Sequence, residues 1–249
     1  MESQVIFGEC LQEMAKLPSK SIDMILCDLP YGTTACKWDQ IIPFDKMWSQ
    51  YNRLIKDGGA IVLTACQPFT TALVASNIKN YRHSWQWIKN MPTGAFMAKY
   101  MPMKSNEDVL VFGNSKVNYY PKMVKRTEEE YKLAFRKNDS KSWGNNIQGQ
   151  TSNIIKRKSA EEQWYKMPTN ILNFPKESIR DGSKHPTQKP VALFQYLIET
   201  YTLPGQIVLD NCAGSGTTAI ACITTSRKYI LIENNEDYID MINKRLEIF

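Results

Sequence analysis

The feature that most limits how this chain can fold is a repeated alternation. Short runs rich in Val, Ile and Leu occur at residues 5–8, 23–28, 60–65, 83–89, 108–112, 207–210 and 229–233. Runs of this length and composition read as buried strands. Between several of them lie stretches with helical features. Residues 44–56 follow Pro43, a favourable first-turn residue, and stop before Gly58 and Gly59. Residues 67–78 begin around Pro68, and residues 191–201 follow Pro190 and end before Pro204 and Gly205. Residues 217–225 and 236–247 complete the set. Strands that alternate with helices predict an α/β fold: a mostly parallel, seven-stranded sheet covered on both faces. Ligands of such sheets bind at the carboxyl ends of the strands.

Residues 114–184 break the alternation. Asn, Ser, Lys, Gln and Gly dominate there, and the stretch is too long for a plain loop inside a compact domain. It reads as an inserted, partly ordered subdomain between two halves, residues 1–113 and 185–249. The charge follows the same division. Residues 114–190 carry 16 Lys and Arg against 8 Asp and Glu, while residues 1–113 are nearly balanced at 11 against 10. Tyr119, Tyr120, Tyr131, Phe135, Trp143, Trp164 and Tyr165 are interleaved with those cations. A solvated surface with surplus lysine has the same arithmetic. Cations beside aromatics are also what a nucleic-acid face requires, one for phosphates and the other for bases.

Several function classes drop out. The six cysteines (Cys10, Cys27, Cys36, Cys66, Cys212 and Cys222) form no CxxC pair, and the histidines are only His83 and His185. That pattern predicts reduced thiols, with neither a disulfide framework nor a metal site. No apolar run reaches the ~18 residues of a membrane-spanning helix, and Met1-Glu2-Ser3-Gln4 does not start a signal peptide. A cytoplasmic protein with no membrane partner is expected.

Two motifs carry chemistry. Asp210-Asn211-Cys212-Ala213-Gly214-Ser215-Gly216-Thr217-Thr218 follows one strand and opens a helix. Its glycines permit a sharp turn and close approach of a ligand. It lacks the GK[ST] of a P-loop and the third glycine of a dinucleotide fingerprint, so a plain strand-to-helix turn and a ligand turn both fit. The next strand ends in Glu233, near the ~20-residue spacing at which an acid meets a ribose diol. Together these point to an adenosine-containing ligand without a tightly held pyrophosphate. The second motif, Asp28-Leu29-Pro30-Tyr31-Gly32, also ends a strand. Pro30 holds Leu29 extended, which turns the Leu29 carbonyl outward beside the Asp28 carboxylate. Two adjacent acceptors suit an exocyclic amino group, and Tyr31 suits the ring that bears it. A capping Asp with a core Tyr is the plainer alternative.

These residues bring a family into view. Asp28-Leu29-Pro30-Tyr31 resembles the (D/N/S)PP(Y/F/W) motif of amino-group DNA methyltransferases. Asp210 to Thr218 resembles their S-adenosylmethionine (SAM) motif, and His185-Pro186-Thr187-Gln188-Lys189-Pro190 is similar to their HPTQKP motif. Gly8-Glu9-Cys10-Leu11 resembles a GDCL-type opening. The catalytic motif precedes the SAM motif, which is similar to the β group of these enzymes. Leu29 replaces the usual first proline but supplies the same backbone carbonyl. Glu9 replaces the usual Asp, which leaves its ligand role open.

The resemblance implies a seven-stranded, Rossmann-like SAM-dependent methyltransferase sheet with a target-recognition insert. It implies methyl transfer from SAM to the N6 of an adenine flipped out of duplex DNA. Asp28, Leu29, Pro30 and Tyr31 would be catalytic. Glu9, Cys10, Asp28, Thr187, Gln188, Lys189, Asp210, Ala213, Gly214, Ser215, Gly216, Thr217, Thr218 and Glu233 would hold SAM, with no metal. Asp in the first motif position favours adenine, with N4-cytosine as the alternative. Cytosine C5 chemistry needs a Pro-Cys pair, and no proline here precedes Cys. A SAM-binding nucleic-acid protein without turnover, or an enzyme acting on RNA or protein amino groups, remains open. The β-group likeness also implies a homodimer. Members of the family work beside restriction nucleases or stand alone on phages, and the sequence leaves those two settings open.

Overall fold

The computed structural model describes residues 1–32, 40–134, 161–176 and 188–248. The chain forms two compact units, one of Met1–Tyr120 with Asn170–Phe249 and one of Pro121–Thr169. In chain order the first unit begins with β1 (Gln4–Phe7), α1 (Cys10–Lys16), β2 (Ile22–Asp28), α2 (Phe44–Leu54) and β3 (Ile55–Ala65). It continues with α3 (Phe69–Ser76), β4 (Tyr81–Thr93) and β5 (Lys104–Phe112). The second unit holds β6 (Val124–Lys125), α4 (Glu128–Ala134) and β7 (Tyr165–Lys166). The chain returns to the first unit with β8 (Ile171–Asn173), α5 (Val191–Tyr201), β9 (Ile207–Asp210), α6 (Thr217–Thr224), β10 (Lys228–Glu233) and α7 (Glu236–Leu246).

The sheet of the first unit runs in the order β1-β10-β9-β2-β3-β5-β4-β8. All of its strands point one way except β5, which is antiparallel to both neighbours. The sheet has eight strands, one more than the sequence predicts. The extra one, β8, pairs with β4 through Gln86↔Ile171, Trp87↔Leu172 and Ile88↔Asn173. Only its middle residue, Leu172, is buried, so three residues at a sheet edge leave no apolar run to read. The short helix α1 was also illegible. It buries a single residue, Met14, and is set by its cap, where the Glu9 carboxylate accepts from the Gln12 N–H.

β2 explains why the sheet reads as unbroken apolar runs. Every residue from Ile22 to Cys27 is buried. Ile25 and Cys27 pack with Met47, Trp48, Tyr51 and Leu54 of α2. Met24 and Leu26 pack on the opposite face with Leu193, Phe194, Leu197 and Ile198 of α5. Period-two alternation is still present, but both faces are covered, so both are apolar. Each such side chain contributes roughly 1.5–3 kcal/mol on burial. The rigid layer this produces holds the carboxyl ends of β2, β3, β9 and β10 at one edge of the sheet.

In the second unit Thr127 and Glu130 form a reciprocal capping box at the start of α4. Tyr131 stacks on Trp164 with ring centroids 4.2 Å apart. Two aromatics that the sequence offers to bases are thus packed on each other. Tyr119 lies in the first unit, its ring 6.1 Å from Tyr201. Phe135 and Trp143 fall outside the described residues. No described helix is long and apolar enough to cross a membrane.

Candidate active site

Strands β2 and β9 are direct neighbours, with Met24 opposite Val208 and Ile25 opposite Leu209. This pairing brings Asp28 and Asp210 to the same end of the sheet on neighbouring strands, although most of the chain separates them. β10 adds Glu233 on the other side of β9. A cavity of about 560 Å³ opens at these strand ends, within the roughly 300–1,000 Å³ usual for small-molecule sites. Asp28, Leu29, Pro30 and Tyr31 form one wall; Asp210, Ala213, Gly214, Ser215, Thr217 and Glu233 form another. Glu9, Cys10, Gln188 and Lys189 also line it. Gly216 and Thr218 are absent from the wall. Thr218 is buried and donates its hydroxyl to Asp210 Oδ2. Thr187, His185 and Pro186 lie outside the described residues.

Asp28 is held on both sides. Its Oδ1 accepts from the Tyr31 hydroxyl at 2.8 Å and from the Thr64 hydroxyl. Its Oδ2 accepts from Lys189 Nζ at 2.6 Å. Burial, then the Asp28 carboxylate, push the Tyr31 phenol well above its ordinary range, so it remains a donor. The Tyr31 ring stacks on Phe69, with centroids 5.2 Å apart. Lys189 is buried, at 7% exposure. Burial works against its charge, but the Asp28 and Glu107 carboxylates outweigh burial and hold the ammonium above its usual range. The sequence places Lys189 by the cofactor carboxylate; the structure engages it at Asp28.

On the other wall, Gly214 has φ +50° and a side chain added there would meet nothing within 4 Å. The turn therefore leaves open space where a ligand can lie against the backbone. Glu233 anchors it, taking the Gly214 N–H at Oε2 (2.8 Å) and the Asn234 and Asn235 N–H groups at Oε1. Oε2 takes one bond and a carboxylate oxygen can accept two, so Glu233, which lines the cavity, retains capacity for a ribose hydroxyl. The volume, the bare backbone at Gly214 and the acid of β10 together fit an adenosine-type group. Asp210 accepts from the Cys212 N–H and the Thr218 hydroxyl. Burial nevertheless pushes its carboxyl up to about 6.

Cys10 and Cys212 line the cavity and Cys27 lies behind it. Burial pushes the Cys27 thiol up to about 12. Hydrogen bonding with the Cys10 and Cys27 thiols, reinforced by burial, raises Cys212 as well. Cys27 and Cys212 are held as neutral thiols, which are poor nucleophiles. Among the described residues no group of three or more His, Cys, Asp or Glu is placed to hold a metal ion.

Sequence reasoning missed Thr64, Lys89 and Glu107. Thr64, one residue before the end of β3, is in register with Asp28. Glu107 lies near the start of β5, and because that strand is antiparallel its start lies at the edge where the parallel strands end. An acid interrupting a strand pattern is the one local signal that marks Glu107. Lys89, on β4, donates to Glu107 Oε1 at 3.1 Å and is itself buried.

This fold recurs over nearly the whole chain in solved DNA methyltransferases. The M1.HpyAVI–SAM complex aligns with 97% of this chain and 98% of its own, at TM-score 0.63 and 22% identity. The cytosine-N4-specific PvuII DNA methyltransferase aligns with 98% of this chain and 86% of its own, at TM-score 0.68 and 15% identity. Residues 22–244 match the N6/N4 DNA methylase family, and the chain belongs to it. Similar relatives include the DNA adenine methyltransferase YhdJ of Escherichia coli K12, 27% identical over 98% of this chain and 82% of its own length. Type II methyltransferase M.HpaI of Haemophilus parainfluenzae is 25% identical over 99% of this chain and 75% of its own.

Proposed function

We propose that this protein is a site-specific DNA methyltransferase that moves a methyl group from SAM to the N6 amino group of adenine in duplex DNA. The observation that carries the reading is that Asp28 and the 213–215 turn face one cavity. The adenine methyltransferase named among the relatives and the Asp in the first motif position both favour adenine over cytosine. SAM supplies an electrophilic methyl group on a sulfonium. Ala213, Gly214, Ser215 and Thr217 would flank its amino-acid end, Glu233 its ribose hydroxyls, and Glu9 and Cys10 its base. Gln188, which lines the cavity, would approach from the segment before α5.

The chain's own contribution is to position an amino nitrogen and enrich its electron density. That lone pair is delocalised into the base and is a weak nucleophile. Asp28 Oδ2 accepts one N–H and the Leu29 carbonyl the other, which draws the nitrogen toward a tetrahedral shape. Tyr31 and Thr64 pin Oδ1, so the acceptor does not rotate away. The base must leave the duplex to reach this corner, at a cost of a few kcal/mol. Residues 114–184 act as the target-recognition segment, with Lys and Arg on phosphates, and the enzyme works in the cytoplasm.

Modification-aware sequencing of DNA from cells expressing the chain tests the reading: one methylated adenine word is expected. Asp28→Ala should abolish that mark while leaving SAM affinity, measured by calorimetry, within about threefold of wild type. Full methylation by the Asp28→Ala protein would remove the assignment.

A further inference from the structure

The acceptor oxygen this reaction needs already carries a cation. Asp28 Oδ1 is held by the Tyr31 and Thr64 hydroxyls, so an incoming amino group meets Oδ2, where Lys189 Nζ at 2.6 Å already takes one of the two lone pairs. A buried ammonium does not leave a carboxylate without another acceptor, because the uncompensated charge is too costly. The second acceptor is present. Glu107 Oε2 lies 3.5 Å from Lys189 Nζ. It is buried and makes no hydrogen bond among the described residues. The other oxygen of the same carboxylate is fixed by Lys89, which also donates to Thr93 at 3.1 Å. Two lysines and two acids thus form a charge-balanced, partly buried group in which Glu107 Oε2 makes no hydrogen bond among the described residues.

We infer that Glu107 is a positioning residue for methyl transfer: as the base amino group takes Asp28 Oδ2, the Lys189 ammonium passes to Glu107 Oε2. The inference rests on the methyltransferase reading above. The movement is under an ångström or so, from 3.5 Å to an ordinary hydrogen-bond length. No proton is transferred; an ion pair changes partner, and the net charge of the group is constant throughout. Lys89 holds the Glu107 carboxylate in place, so the receiving site exists before the base arrives. Asp28 is then relieved of a cation that would otherwise draw electron density from the acceptor oxygen.

The test uses the full chain, SAM and a duplex bearing the word that sequencing finds. Glu107→Gln should lower the single-turnover rate by on the order of tenfold or more, since Lys189 then lacks a receiving anion. KM for DNA and Kd for SAM should stay within about threefold, which a loss of fold would not allow. In a Lys189→Met background there is no ammonium to receive, so adding Glu107→Gln should change the rate less than about threefold. That charge-balanced double variant carries the test if Glu107→Gln alone does not fold. A Glu107→Gln enzyme with the wild-type rate overturns the inference. So does an equal loss from Glu107→Gln with and without Lys189. If the wild-type chain marks no DNA, the methyltransferase reading itself has failed. Wild-type marking together with either overturning result removes only the role of Glu107.

Discussion

Asp210 offers a perturbation whose size follows from its surroundings. An unfolded aspartate titrates near 3.9, whereas in the fold burial pushes Asp210 up to about 6, against the opposing bonds from Thr218 and Cys212. The folded state therefore binds the proton more tightly. The stability this contributes is fully present below about pH 4 and is lost as pH rises through about 6. About two pKa units correspond to about 3 kcal/mol, of which roughly half is already lost at pH 5. Asp210→Asn has no charge to lose. Its amide places a donor against Thr218 or Cys212, but that offset does not vary with pH. The Tm of the Asn variant minus that of wild type should therefore rise by about 3–5 °C between pH 5 and pH 8 for a chain of this size. Thermal melts by circular dichroism at the two pH values measure it. A difference that is flat with pH, or that falls, would refute a carboxylate destabilised by burial at the end of β9.

Two further outcomes separate the turn from the insert. Gly216 has φ +77°, and an added Cβ would lie 2.9 Å from Ile242 Cγ1. Gly216→Ala should cost about 1–3 kcal/mol from left-handed strain and crowding, read as a lower urea midpoint at unchanged m. Unaltered stability there would mean that the turn is not held against α7. DNA affinity should fall steeply between 50 and 200 mM salt if residues 114–184 grip phosphates. A flat response would take DNA binding away from that segment.

The bounds of α5 were legible to the residue: Pro190 opens the helix, and its run stops before Pro204 and Gly205. The acids at the ends of β2, β9 and β10 were also legible, since each closes an apolar run. Thr64 and Lys89 were not, because neither departs from its local pattern. Their roles come from neighbours on other strands, as when Thr64 falls opposite Asp28. Gly216 and Thr218 fit the turn motif as well as Gly214 does, yet one packs on Ile242 and the other bonds inward to Asp210. Which members of a glycine-rich stretch face a ligand depends on the rotation of the turn against α7.

By itself the amino-acid order determined the local elements and the chemistry at their ends, because strand and helix periods, prolines, glycines and strand-end acids act over a few residues. Only the tertiary structure decided that β9 lies against β2, that β5 runs backward, and that Lys189 meets both Asp28 and Glu107. Register between distant strands is set by how both faces of the sheet bury together, and no local period encodes that choice.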